Sequence, residues 1–313
     1  MSHRNDTRGR TGRSAPEGAG EPSSFTVLGL RAEAARIRPG LHVVATPIGN
    51  LGDVSLRALG TLAAANAILA EDTRVTKTLL AHYGIATPLL AYHEHNAEEM
   101  RPRVLARLRA GEALALVSDA GTPLVSDPGF KLVQAATAEG LEVHAVPGPS
   151  AVLAALVVAG LPTDRFFFEG FLPPKAAARR ERLEALKAVP GTLVFFESPR
   201  RVAEMLADAA LVLGDRPAAV ARELTKFYET VRRGDLAGLA AAYGAEEAPR
   251  GEIVVLVGPP GAEAVVDDDR ALDAALTRHL GHLSVKDAVA VVCQETGLPR
   301  KRVYARAVAL VKG

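Results

Sequence analysis

Three short runs combine Gly, Pro and polar or acidic residues in a way suited to holding a ligand. They are Thr46-Pro-Ile-Gly-Asn-Leu-Gly-Asp53, Ser118-Asp-Ala-Gly-Thr-Pro123 continuing through Asp127, Pro128 and Gly129, and Pro147-Gly-Pro-Ser150. Each follows an apolar run that reads as a strand, so each sits where ligands bind in an open α/β sheet, outside the carboxyl ends of the strands. Any one of them alone matches an ordinary strand-to-helix turn with a Ser or Asp cap; three that converge point to a site. No phosphate-binding loop of the G-x-x-x-x-G-K-S/T kind and no G-x-G-x-x-G after the first strand is present. Lys and Arg are absent between Val44 and Asp53 and between Val117 and Gly129, whereas Asp53, Asp119 and Asp127 are there. Carboxylates and turn carbonyls suit a cationic or zwitterionic ligand better than a phosphate.

Groups able to accept or hold a proton are scattered elsewhere: Glu71 and Asp72 with Arg74, His93 and His95 around Glu94, Glu197, and Glu223 with Lys226. No two of them stand at the spacing of a known triad. The H-x-H pair places both rings on one face of a strand, but without a further His or Cys motif it does not make a metal site, and no metal is expected.

The elements that must position these residues follow from periodicity. Apolar runs at Leu41–Ala45, Ala67–Ala70, Ala113–Val117 and Glu142–Val146 alternate with helical stretches at about 54–65, 73–83, 97–110, 128–139 and 149–160, the pattern of a doubly wound, largely parallel sheet. A second set of strands, Phe166–Phe168, Leu193–Phe196, Ala218–Ala221, Tyr228–Arg232 and Ile253–Val257, is interleaved with helices near 175–187, 199–211 and 235–242. Two of these strands lie so close in sequence that this half reads as mixed or antiparallel. Gly160, Leu161, Pro162 and Thr163 mark a hinge. Beyond Gly258 three helical segments follow, near 268–281, 284–296 and 300–312, with Ser284 and Asp287 spaced as a capping box. Arg300, Lys301 and Arg302 fall on the first turn of the last helix, where cations oppose the helix dipole, and so point to nucleic-acid contact in a helix-turn-helix-like unit. The expected domains are a disordered Arg-containing tail over 1–38, α/β domains over 39–160 and 161–260, and a helical domain over 261–313.

At 313 residues and 48% hydrophobic, with a net charge of +1, the chain can bury a large core and carries no overall signal for nucleic acid. Its one cysteine, Cys293, excludes an internal disulfide, and no signal segment or run of roughly 18 apolar residues is present, so a soluble cytoplasmic protein with no membrane contact is expected. Local basic clusters are the candidate nucleic-acid contacts: Arg74 with Lys77, Lys175 with Arg179, Arg180 and Arg182, Arg200 with Arg201, and Arg232 with Arg233. The 175–182 cluster follows a Pro-Pro break and reads as a mobile basic lid. Aromatic residues make up 4% of the chain with no Trp, so any nucleic-acid recognition is expected to rest on shape and backbone.

Taken together, Ala45-Thr-Pro-Ile-Gly-Asn-Leu-Gly-Asp53, Ala70-Glu-Asp-Thr-Arg74, His93-Glu-His-Asn96, Val117 to Gly129, Pro147-Gly-Pro-Ser-Ala151, Phe168-Glu-Gly-Phe-Leu-Pro173, Phe196-Glu-Ser-Pro-Arg200, Ala221-Arg-Glu-Leu-Thr-Lys226 and Gly251-Glu-Ile-Val254 resemble the ribosomal RNA small subunit methyltransferase I family, a branch of the tetrapyrrole-methylase superfamily. The resemblance is strong over 41–258 and weaker in the helical appendage. It implies two α/β domains with S-adenosylmethionine in the cleft between them, a homodimer, and methylation of the ribose 2′-oxygen of a decoding-region cytidine in 16S rRNA of the small ribosomal subunit. Carried over by motif, it implies cofactor contacts at Pro47, Ile48, Ser118, Asp119, Gly121, Thr122, Ser150 and Ala151, and at Phe196, Ala221, Arg222 and Gly251. The porphyrin-precursor branches are similar more loosely: they carry Gly-x-Gly and Gly-Asp-Pro where Thr46-Pro47-Ile48 and Ser118-Asp119-Ala120 stand here. A tetrapyrrole or corrin methylase, and a non-enzymatic RNA-binding protein on a degenerate cofactor fold, are the competing expectations.

Overall fold

The computed structural model describes residues 23–124, 129–260, 262–296, 298 and 300–312. Asp127, Pro128, Gly297, Pro299 and the tail arginines Arg4, Arg8, Arg10 and Arg13 lie outside the described residues. The chain divides into two compact units, Met1–Ser150 and Ala151–Gly313.

The first unit opens with a hairpin, β1 (Ser24–Val27) and β2 (Leu30–Glu33). The sequence reading places this stretch in the disordered tail. It is ordered because Phe25 enters a core against the helix face, with Val27 and Ala32 packed beside it, and because Thr26 N–H donates to Tyr83 O at 2.7 Å. There follow β3 (Gly40–Val44), α1 (Leu56–Ala64), β4 (Ala67–Ala70), α2 (Thr73–His82), β5 (Leu89–Ala91), α3 (Ala97–Arg109), β6 (Ala113–Val117), α4 (Phe130–Ala138) and β7 (Val143–Val146). The strands form one parallel sheet in the order β5-β4-β6-β3-β7. Side-chain alternation splits the apolar strands between two cores. Val44, Ile68, Ala115 and Val117 pack with α1 and α2, while Leu41, Leu69, Leu114 and Leu116 pack with α3 and α4. Strands buried on both faces read as unbroken apolar runs, which is why the sequence displays them so plainly.

The second unit begins with α5 (Ala151–Ala159) and continues through β8 (Phe166–Phe171), α6 (Ala176–Leu186), β9 (Thr192–Glu197), α7 (Val202–Leu213), β10 (Pro217–Arg222), β11 (Thr230–Asp235), α8 (Leu236–Ala245) and β12 (Ile253–Val257). Its sheet is mixed, in the order β11-β10-β12-β9-β8, with β8 parallel to β9 and every other pair antiparallel. One face carries α6, α7 and α8 over Leu193, Phe195, Val220 and Val255. The other receives α5, which touches β10, β11 and β12. The division therefore falls before α5 and not at Gly160. Ala151–Ala159 is apolar all round and has no polar face to offer solvent, so it belongs with the sheet it covers.

The helices α9 (Ala262–Leu280), α10 (Val285–Thr296) and α11 (Arg300–Lys312) share a small core of Leu272, Leu276, Val289, Val292, Val303 and Ala307. Ser284 caps α10: its hydroxyl accepts from Asp287 N–H at 3.2 Å and donates to the Asp287 carboxylate at 2.6 Å. Among the described residues no helix is long and apolar enough to cross a membrane.

Candidate active site

Because the first sheet is parallel throughout, the loops leaving β3, β4, β6 and β7 all emerge at one edge. The neighbours β3 and β6 send their following helices, α1 and α4, to opposite faces of the sheet. That is the topological switch point of a doubly wound sheet, where connections diverge and leave a crevice.

The loops at that point are tied to one another. Thr46 and Gly121 exchange backbone hydrogen bonds in both directions at 2.9 and 3.0 Å. Thr122 Oγ1 donates to Pro149 O at 3.2 Å, and Thr46 Oγ1 donates to Ser118 O at 3.4 Å. Gly121 has φ +76, and a Cβ built on it would stand 3.3 Å from Ile48 Cγ2. A larger residue would be strained there and would press on the Thr46–Asp53 loop. Asp119 links a fourth loop, its Oδ1 accepting from Asp72 N–H at 2.9 Å. Thus Pro47, Ile48, Ser118, Asp119, Gly121, Thr122 and Ser150 are gathered at one sheet edge. Ala151 opens α5 in the second unit.

Asp72 is committed locally. It caps α2 through Arg74 N–H and holds the Arg74 guanidinium at 2.6 Å, and these bonds, the side-chain one foremost, hold its carboxyl at about 2. Arg74 is thereby paired, though still largely exposed; Lys77 is exposed and forms no ion pair among the described residues. His93 and His95 lie not on a strand, as the alternation suggests, but in the turn between β5 and α3. There Asn96 accepts from His93 N–H and the rings stand 6.0 Å apart. No group of three His, Cys, Asp or Glu side chains gathers among the described residues.

In the second sheet the antiparallel register brings the ends of β9 and β10 level with the start of β12. Phe196 and Ala221 both pair with Val254, and Glu197 and Arg222 with Ile253. Phe196, Ala221, Arg222 and Gly251 therefore lie at one end of this sheet. Phe196 stacks edge to face on Phe168 and Phe171. Glu197 points to the other face, fully buried. Its Oε1 accepts from Ser198 N–H at 2.7 Å, its Oε2 is 3.2 Å from Arg201, and burial pushes its carboxyl up from the usual range. Glu223 is tied to Lys226 at 2.8 Å and to Glu252 N–H at 2.9 Å, and these contacts, Lys226 first, hold its carboxyl low.

The basic lid is not there. Helix α6 packs into the core through Leu183 and Leu186, and Arg179 is 2% exposed, bonded to Asp208 at 2.7 Å and to Pro174 O at 3.2 Å. A side chain so enclosed cannot reach a phosphate. Arg180 is held by Asp208 and Arg182 by Glu169, each at 2.6 Å. Arg201 turns inward as well, donating to Leu172 O at 2.7 Å. Arg232 pairs with Glu246 and Arg233 caps Val158 O. Of the clusters in this unit, Lys175 and Arg200 stay exposed with no ion pair among the described residues. Arg300 and Lys301 are exposed on the first turn of α11, with Arg302 partly buried beside them.

The family described as Tetrapyrrole (Corrin/Porphyrin) Methylases matches residues 40–240, and that described as RsmI C-terminal HTH domain matches 266–311. The chain is 52% identical over 274 residues to the ribosomal RNA small subunit methyltransferase I of Mesorhizobium japonicum, spanning 87% of this chain and 92% of that one. It is 49% identical to the protein of the same name from Pseudomonas aeruginosa (85% and 96%) and 44% identical to that from Escherichia coli O157:H7 (84% and 93%). Among solved structures the fold is shared with a cobalt precorrin-4 methyltransferase (TM-score 0.54, 20% identity, 70% of this chain and 94% of that one) and a diphthine synthase (TM-score 0.55, 16% identity, 70% and 89%). The chain is a methyltransferase of the tetrapyrrole methylase superfamily and belongs, within it, to the ribosomal RNA small subunit methyltransferase I family.

Proposed function

We propose that this chain uses S-adenosylmethionine to methylate the ribose 2′-oxygen of a decoding-region cytidine of 16S rRNA in the small ribosomal subunit, acting in the cytoplasm as a homodimer. The observation that carries the donor assignment is the set of four tied loops at the first sheet's switch point, with an acidic group and no Lys or Arg on the three that the sequence singles out. The donor supplies a methyl group on a positively charged sulfur that leaves as a neutral thioether. Asp119 and the turn carbonyls fit such a ligand, with Pro47, Ile48, Ser118, Gly121, Thr122, Ser150 and Ala151 around it. Phe196, Ala221, Arg222 and Gly251 are its proposed contacts in the second unit.

Transfer is an in-line displacement, and holding the hydroxyl and the methyl in line supplies most of the rate. Among Glu71, Asp72, His93, His95, Glu197, Glu223 and Lys226, the low carboxyls of Asp72 and Glu223 make them weak bases suited to steady charge, and Glu197 is buried on the face of the second sheet opposite Phe196. We assign the protein's share to orientation, with the hydroxyl proton released to solvent and Lys77, Lys175, Arg200, Arg300 and Lys301 offered to RNA phosphates.

The test is methylation of assembled small subunits by purified protein, with the modified nucleotide identified by mass spectrometry. A 2′-O-methylcytidine is expected; methyl on a base, or transfer only to a corrin or porphyrin precursor, would overturn the assignment. In calorimetry Asp119→Ala is expected to weaken donor binding about tenfold, the scale of one charge-assisted contact. Asp119→Asn keeps an acceptor for Asp72 N–H and should lose less. An unchanged Kd for Asp119→Ala would remove that residue from the donor site.

A further inference from the structure

Scarce aromatics predict an RNA contact made through shape and backbone, yet the fold sets two of them almost wholly in solvent. Phe227 and Tyr228 are 93% and 70% exposed. Their rings stand edge to face, centroids 5.0 Å apart at 89°, in the turn between β10 and β11.

That turn is held rigidly. Glu223 and Thr225 take φ values of +52 and +66, and a β-branched residue seldom adopts such a value unless its surroundings impose it. Here Lys226 N–H donates to Glu223 O at 3.0 Å, Glu229 N–H to Lys226 O at 3.1 Å, and Thr225 N–H to the Glu229 carboxylate at 2.6 Å. Rings carried on a fixed backbone lose little freedom when a partner stacks on them. Arg222 lies at the root of the turn, its Nη1 donating to the backbone oxygen of the exposed Arg250 at 3.4 Å, and neither residue forms an ion pair among the described residues.

We propose that Phe227 and Tyr228 form a stacking site for unpaired bases of the RNA substrate, with the exposed Arg250 near them for an adjoining phosphate. The inference rests on the RNA substrate proposed above. Aromatic faces accept any unstacked base, and specific RNA recognition is concentrated on unpaired nucleotides of this kind. A second copy of the chain is the weaker occupant. Two aromatic side chains bury at most ~500 Å², short of the ~800 Å² per partner that a stable protein interface takes, and the flanking Lys226 and Glu229 are charged.

The test compares wild type, Phe227→Ala/Tyr228→Ala and the ring-keeping Tyr228→Phe in methylation of assembled small subunits, with donor affinity by calorimetry and oligomeric state by sedimentation. The double variant is expected to raise KM for subunits about tenfold or more, with kcat and donor Kd within about twofold and sedimentation unchanged; Tyr228→Phe should stay near wild type. An unchanged KM in the double variant overturns the proposal. So does a KM rise accompanied by a changed sedimentation coefficient, which would make the rings a contact between copies. If wild type itself transfers no methyl to subunits, it is the RNA substrate that fails.

Discussion

Replacing Arg179 by Ala is expected to lower the unfolding free energy by about 3–5 kcal/mol, the loss seen when one partner of a buried ion pair is removed. The reason is the environment of Asp208, itself buried on α7. Its Oδ2 accepts from Arg179 Nε at 2.7 Å and its Oδ1 from Arg180 Nε at 2.6 Å. Truncating Arg179 leaves that carboxylate half-satisfied inside the protein and strips Pro174 O of its donor. Arg180 makes an equally short bond, but its side chain is half exposed, so water replaces the lost partner and Arg180→Ala should cost no more than about 1 kcal/mol. Arg179→Lys keeps the charge but not the fork that reaches Asp208, Glu204 and Pro174 together, and should fall between the two. Arg179→Met with Asp208→Leu removes both buried charges and should recover most of the loss. Chemical denaturation measures all four. Equal effects from Arg179→Ala and Arg180→Ala would mean that burial does not set the strength of this network.

The contrast between those adjacent arginines shows where the sequence is legible. Charge counting places both on a basic helix face. Yet Arg179, Leu183 and Leu186 are spaced by four and three, the stripe of an inward face, while Arg180 falls outside it. Spacing and residue type conflict here, because an Arg among leucines is ordinarily at the surface. The loops at 46–53 and 118–123 are readable for the opposite reason: each is a Gly/Pro break directly after a strand buried on both faces, so strand and loop announce each other. Three residues, Leu89–Ala91, are too few for a period to declare itself, and β5 goes unseen until β4 supplies its partner. The hairpin at 24–33 has one large apolar anchor, Phe25, in polar surroundings, and only the complementary surface of the first core makes that anchor sufficient. What Phe227 and Tyr228 face also cannot be read from periodicity, since it depends on two unusual backbone conformations before them.

Gly251→Ala is expected to destabilise the second unit by about 3 kcal/mol and to slow methyl transfer about a hundredfold, the scale on which a displacement of an ångström at a reacting site acts. Gly251 has φ +95, unfavourable for any residue with a Cβ, and the added carbon would lie 2.3 Å from both Cδ and Oε1 of Glu223. Glu223 cannot simply move aside. The same Oε1 accepts from Lys226 Nζ at 2.8 Å and from Glu252 N–H at 2.9 Å, while Glu223 N–H donates to Glu252 O at 2.9 Å. Displacing the carboxylate therefore releases Lys226 and loosens the junction of β10 with β12, which carries Ala221, Arg222 and Ile253. A double-mutant cycle isolates the cause. In a Glu223→Ala background the clash is gone, and Gly251→Ala should cost only its backbone strain, roughly 1 kcal/mol. Additive effects in that cycle would show that the close approach of Glu223 is not what reserves position 251 for glycine. Strong coupling would tie the glycine, the carboxylate and Lys226 into one element that sets the shape of this sheet end.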